Sequence, residues 1–395
     1  MRVTELRVGL LLYLSGTESI YALLVDQQGH TQKFRLAGWR DVFPLIDKFL
    51  EGQERGSFSA VEAPASFRAF SFEWGKRLLP PAECLKAFDV LVIIPHYTLH
   101  GLPFHTVWLD DESRFLATSH GITYCSSGTL FTRCVDRNLA RREDITEWTF
   151  DLAEASTAGA PAPPRRCVGV GSDVIGNHSE DYGGLAKVFT SYFQEPVTFP
   201  SATRAAIKNR LKGDKRWEAV CIVSHGYYDS ATPDNCGLLL DRDTFGIVIR
   251  PIFLHRGTYY DFRDLPFTYL PPEVDANREA ELMSVSELKV ECLTDAQLIA
   301  LFGCSTGAGH VVSGGDFNSM AYQWLKAGAP TALANLWEVG IDFLKEWSPH
   351  FLENWLVKRQ PKAIAWRQAV TQFLENRPEV DPYTWGAIAL FGDWL

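Results

Sequence analysis

What this 395-residue sequence lacks narrows its function first. It has no run of about 18 apolar residues, so no membrane-spanning helix is expected. Val8–Leu14 (VGLLLYL) lacks the charged start and small-residue cleavage site of a signal peptide, and it reads as a strand. The 8 cysteines (84, 125, 134, 167, 221, 236, 292 and 304) include no C-x-x-C pair. A disulfide framework and a zinc site are therefore not expected. Most of these thiols should be small buried hydrophobes in a reducing cytoplasm. There is no basic excess either. Lys and Arg number 38 against 48 Asp and Glu, for a net charge of −10. That balance argues against a broad nucleic-acid-binding face. No internal repeat is evident, which excludes a helical solenoid.

What is present is an ordinary globular composition, 46% apolar and 22% charged, long enough for two domains or two fused halves. Residues 1–36 read as strands, with a hairpin turn at QQGHT. Helical spacing follows over 39–52 and 65–87, the second ended by Pro80 and Pro81. DVLVIIP (89–95) is a continuous apolar run, the pattern of a buried parallel strand. Residues 139–165 turn charged, then small and proline-rich, and read as a linker. Beyond it come strands at 167–171, 219–224, 297–303 and 331–337, with helices expected at 183–194, 202–212 and 318–329. Two amphipathic helices (FLKEWSPHFLENWL and AIAWRQAVTQFLEN) and a final strand in WGAIALFGDW close the chain. This alternation predicts an α/β fold with a mostly parallel sheet flanked by helices. The aromatic, proline-rich stretch 244–290 interrupts the rhythm as an insertion.

Two strand ends carry the chemistry. AVCIVS runs into His225-Gly226, and QLIALFG runs into Cys304. In parallel sheets, reactive groups collect at the carboxyl ends of strands. A thiol needs a nearby base to become a thiolate at neutral pH, and a neighbouring imidazole supplies one. Gly226 would leave room for substrate beside His225. The backbone N–H groups of Gly226 and Cys304 are the candidate oxyanion donors. Glu338 and Asp342, after the strand TALANLW, are candidate substrate-binding carboxylates, as are Asp173 and Asp316. Asp316 also reads as a helix N-cap. His96, His100 and His105 lie close in IPHYTLHGLPFH, but no thiol nearby in sequence completes a zinc set, so no metal or cofactor is expected.

Several segments together resemble the CHAT domain of the caspase- and separase-like cysteine peptidases, clan CD. They are LVIIPHYTLHGLPFHTVWL, FLATSHGITYCSSGTLF, the histidine box VSHGYYD, the cysteine box LIALFGCSTGAG and the run AYQWLKAGAPTALANLWEVGID. Where the family commonly has Ala-Cys-Glu-Thr-Gly, this box reads Gly303-Cys304-Ser305-Thr306-Gly307. The histidine precedes the cysteine by 79 residues, against a generic caspase spacing of about 50, and the surplus corresponds roughly to the 244–290 insertion. The resemblance implies an N-terminal pseudo-caspase half (1–150), a linker (151–165) and a catalytic half (166–395). It implies a Cys304–His225 endopeptidase acting on a specific protein substrate, with Glu338 and Asp342 where separase-like enzymes place carboxylates that select Lys or Arg at P1, the residue before the scissile bond. The 244–290 insertion, between the two dyad strands, reads as an activation loop over the cleft, with ordinary surface as the alternative. It also implies a regulatory partner encoded nearby, in a bacterial defence or cell-death setting. The dibasic pairs Arg141-Arg142 and Arg165-Arg166 are candidate processing sites. The alternative is a catalytically silent module that binds a partner through the same cleft.

Overall fold

The continuous apolar runs become the middle of one sheet. A computed structural model describes residues 5–54, 64–109, 114–143, 166–171, 179–199, 203, 207, 217–227, 237–241, 252–255, 258–261, 280–284, 296–311 and 317–395. Among them, the main sheet has 11 strands. These are β1 (Val8–Ser15), β2 (Ser19–Val25), β3 (Thr31–Gly38), β4 (Val90–Ile94), β5 (Gly121–Tyr124), β6 (Arg166–Gly171), β7 (Glu195–Phe199), β8 (Ala219–Val223), β9 (Leu298–Phe302), β10 (Thr331–Asn335) and β11 (Ile388–Gly392). Their spatial order is β3-β2-β1-β4-β5-β11-β10-β9-β8-β6-β7. Every residue of β4, β8, β9 and β10 is buried, as strands covered on both faces must be.

The expected mostly parallel pairing is observed. Only the β1–β2, β2–β3 and β10–β11 pairings in this sheet are antiparallel. The last of these has a consequence. β11 pairs parallel to β5 and antiparallel to β10, so the two parallel blocks run in opposite directions. The terminal segment WGAIALFGDW is thus a seam strand inside the sheet. Its start, Ile388, lies opposite Asn335 at the carboxyl end of β10.

The seam is tied by side chains of the first block. Thr123 Oγ1 donates to the Gly392 carbonyl at 2.9 Å. His105 is fully buried, with Nδ1 2.8 Å from Tyr124 Oη and Nε2 2.9 Å from the Gly386 carbonyl.

Seven helices matter to the argument: α1 (Trp39–Glu54), α2 (Pro64–Leu78), α3 (Gly128–Glu143), α4 (Ser179–Thr190), α5 (Met320–Ala327), α6 (Ile341–Leu352) and α7 (Lys362–Asn376). Three differ from the sequence expectation. α2 stops at Leu78, two residues before Pro80, and only a short turn (Ala82–Leu85) continues it. α4 starts four residues before Gly183, and residues 195–199 then form β7. The LARRE segment, read as the start of the linker, is the last turn of α3. The rest of the linker lies outside the described residues. So do the expected 202–212 helix, apart from Thr203 and Ile207, and most of the 244–290 insertion. Within that insertion, Ile252–His255 pairs with Thr258–Asp261, and Ala280–Ser284 pairs with Gly237–Asp241. Among the described residues, no helix is long and apolar enough to cross a membrane. The six described cysteines are all free.

Candidate active site

β8 and β9 are parallel neighbours with Val223 opposite Phe302. The ladder continues one step further, because the Ser224 N–H donates to the Phe302 carbonyl at 3.3 Å. Both strands then end at one edge, and His225 and Cys304 follow at equivalent distances. Ser224 Oγ also donates to the Leu239 carbonyl, which fixes the exit of β8 beneath the short strand His225–Tyr227. The two ends touch at Gly226. A Cβ there would lie 1.8 Å from the Cys304 carbonyl oxygen and 2.9 Å from its nitrogen. The expectation that Gly226 leaves room for substrate is corrected here. That space is taken by the Cys304 backbone.

Cys304 sits on a tight elbow. Ser305, just after it, adopts φ 57°, left-handed backbone that costs a residue with a Cβ roughly 1–2 kcal/mol. Two residues that the sequence reading missed hold this turn. Thr306 Oγ1 lies 3.0 Å from the carbonyl oxygens of both Leu301 and Gly303, and it accepts from the Asn335 N–H at 3.1 Å. Asn335 Nδ2 donates to the Gly303 carbonyl at 3.2 Å, and the Asn335 carbonyl accepts from Gly307 N–H at 2.8 Å. The elbow is therefore sewn to the end of β10. Gly303 is dictated by the same crowding, since a Cβ would come within 2.9 Å of the Ser224 carbonyl.

Cys304 as a residue is half-buried, but burial around its thiol pushes the pKa up to about 11. Hydrogen bonding from the Val339 N–H and from its own N–H opposes that shift. The Glu338 carboxylate adds to it by charge repulsion. Tyr383 belongs to the same group of neighbours. Burial raises its phenol well above the ordinary value, and the Glu338 and Cys304 charges push the same way. Its ring stacks on Trp337, with centroids 5.0 Å apart and planes at 16°, and its carbonyl accepts from Trp337 Nε1 at 2.8 Å. The seam position of β11 explains the meeting, because Tyr383 lies just before that strand. On the other side, His225 Nδ1 is 3.3 Å from Tyr182 Oη of α4, with the rings 4.9 Å apart.

Residues 75–393 match the CHAT domain. The chain belongs to the CHAT-domain family. Two solved separase structures carry the same fold at low identity. Separase from Saccharomyces cerevisiae, in its complex with securin, gives a TM-score of 0.55 at 8% identity. That match covers 98% of this chain but 30% of the separase chain. A second separase–securin structure gives 0.52 at 9% identity, with the same coverage. Gingipain R, an Arg-specific cysteine proteinase, gives 0.45 at 10% identity, covering 90% of this chain and 74% of that one. Separase and gingipain are clan CD cysteine peptidases. No curated protein matches the chain.

Within the CHAT domain, the remaining candidates fall in different places. Glu338 is exposed at the thiol. Asp342 is exposed in the first turn of α6, where the helix dipole favours a carboxylate. Asp173 and Asp316 lie outside the described residues. The three histidines of IPHYTLHGLPFH do not converge. His96 Nδ1 meets Ser15 Oγ at 2.7 Å, His100 stacks on Phe317 at 4.6 Å, and His105 holds the seam. Among the described residues, no group of three His, Cys, Asp or Glu could hold a metal ion.

Proposed function

We propose that this CHAT-domain protein is a cysteine endopeptidase acting through Cys304 and His225. One observation carries the reading: His225 and Cys304 follow adjacent parallel strands in matching register, with Gly226 pressed against the Cys304 backbone. In this reading His225 takes the thiol proton and the thiolate adds to the scissile carbonyl, forming a tetrahedral intermediate. The backbone N–H groups of Gly226 and Cys304 receive its oxyanion. The protonated imidazole then gives its proton to the leaving amine as the C–N bond breaks. Water, deprotonated by His225, releases the acyl-enzyme. For His225 to act through its Nε2, Nδ1 must carry a hydrogen, and Tyr182 Oη is an acceptor in reach.

The substrate is a protein. Glu338, exposed beside the thiol, favours Lys or Arg at P1, and Asp342, in the first turn of α6, is the second carboxylate. The first block of strands is a non-catalytic copy that supports the second. The burial that pushes the Cys304 thiol up to about 11 supports a site that a partner or the insertion completes. Cys304→Ala should abolish cleavage of a Lys/Arg-P1 peptide library, and His225→Ala nearly so. Cleavage by Cys304→Ala at the wild-type rate would overturn the reading.

The same resting thiol favours a second reading, a silent module that only binds its partner. A peptidyl chloromethylketone separates the two. An adduct on Cys304 that forms faster in the presence of a co-expressed neighbour supports the peptidase. Labelling that never exceeds that of free cysteine supports the binding module.

A further inference from the structure

A cationic cavity lies far along the sheet from Cys304, at the outer edge of β3. It has a volume of about 660 Å³ and touches five consecutive residues, Lys33 to Ala37, together with Lys76 and Arg77 of α2. Successive residues of a strand face opposite sides of the sheet. A cavity that touches five in a row therefore runs along the open edge of the strand. Among the described residues, β3 is the outermost strand of the sheet and pairs on one side only, with β2. Its outward backbone groups are a template for another strand.

The charge on this edge is opposite to that of the whole. The chain carries a net charge of −10, yet four cations line this cavity. Arg77 is paired with Glu73. Among the described residues the other three form no salt bridge, although the Glu73 carboxylate also feels the charge of Lys76. Arg35 Nε donates to Ser19 Oγ at 3.2 Å, Lys33 Nζ lies 5.2 Å from the centre of the Tyr21 ring, and Lys76 Nζ lies 3.8 Å from that of Phe72. Lys33 and Arg35 are exposed and two residues apart, so they share one face. Phe34 and Leu36 alternate with them, half-buried against the core.

We infer that the β3 edge is a docking site for an extended acidic polypeptide segment, which adds to the sheet as a twelfth strand. The backbone of the segment pairs with β3. Carboxylates at alternate positions meet Lys33 and Arg35, and the intervening apolar side chains lie toward Phe34 and Leu36. A nucleic acid fits this edge less well. It could use the cations, but not the unpaired backbone groups or the apolar alternation.

Fluorescence anisotropy with the full chain tests this, using a labelled peptide of alternating Glu and Val. Wild type should bind it, more weakly as salt rises, and should not bind a Lys-Val peptide. The double variant Lys33→Glu, Arg35→Glu should bind the Glu-Val peptide at least tenfold more weakly and gain binding to the Lys-Val peptide. This reversal cannot come from misfolding. N-methylation of alternate backbone amides, which keeps the charge and removes the donors, should also abolish binding. Absence of Glu-Val binding would overturn the proposal and leave the cations as guards against edge pairing. Unchanged binding after N-methylation, or equally tight binding of an oligothymidylate of the same charge, would overturn it in favour of a plain anion patch.

Discussion

Tyr182 Oη lies 3.3 Å from Nδ1 of His225, and the two rings lie 4.9 Å apart at 35°. The contact joins α4 to the end of β8 and sets which way the imidazole faces. Tyr182 is therefore a positioning residue for the proposed base. Tyr182→Phe removes one hydrogen bond and keeps the ring. It should lower kcat by roughly fivefold, the equivalent of about 1 kcal/mol, with KM little changed. Steady-state kinetics on a cleaved peptide checks it. A change confined to KM, or unchanged kinetics, would show that the contact has no part in orienting the base.

The Glu338 carboxylate opposes ionisation of Cys304. In the resting protein, a thiol with a pKa of about 11 should alkylate with iodoacetamide on the order of a hundredfold more slowly at pH 7.5 than free cysteine. Glu338→Gln removes a negative charge beside the thiolate, so the thiol pKa falls and alkylation speeds up. Glu338 is exposed, so the gain should shrink as salt rises. Mass-resolved labelling of Cys304 against pH and salt reads both effects. The same substitution should weaken any preference for Lys or Arg at P1.

The backbone contact at Gly226 gives a sharper test of the elbow. A Cβ 1.8 Å from the Cys304 carbonyl forces the ends of β8 and β9 apart. Gly226→Ala should cost roughly 1–3 kcal/mol of stability and remove activity together. Gly183→Ala is the control, because it lies within α4 and a Cβ there meets nothing within 4 Å. It should be neutral or slightly stabilising. Denaturant unfolding of the two variants separates crowding at the elbow from the general effect of replacing glycine.

How much of this was legible in the sequence depends on distance along the chain. The buried strands were readable because continuous apolar runs such as VLVII, AVCIV and LIALF have no other good use at that length. His225 and Cys304 were readable because each stands two residues past the end of such a run. The neighbours of the thiol were not. Tyr383 meets Cys304 only because β11 inserts antiparallel beside β10, and no local pattern reports a pairing between residues that far apart. Thr306 lies within the cysteine box, but its tie to Asn335 depends on that same strand packing. The role of Gly226 was misread for a related reason. Sequence shows that a side chain is missing, and only the fold shows what occupies its place. His105 belongs with these cases, since its partners are Tyr124 and Gly386, the second 281 residues away.

That seam histidine makes stability depend on pH. His105 is wholly buried, and burial lowers its pKa from 6.5 to about 4, with the Gly386 carbonyl acting weakly the other way. The ring is neutral in the fold, bonded at both nitrogens. Once unfolded, the imidazole takes a proton below about pH 6.5, whereas the folded one does not until about pH 4. The unfolded state therefore binds more protons in that window, and stability falls as the pH drops through it. It is fully present above 6.5 and reduced by about 3 kcal/mol near pH 4. His105→Gln cannot titrate. It should be less stable than wild type at pH 7.5, because it loses part of the link between Tyr124 and Gly386. It should also lose less stability between pH 7 and pH 4.5 than wild type does. Urea unfolding at the two pH values measures both slopes. Parallel slopes for the two proteins would mean that another group drives the acid sensitivity.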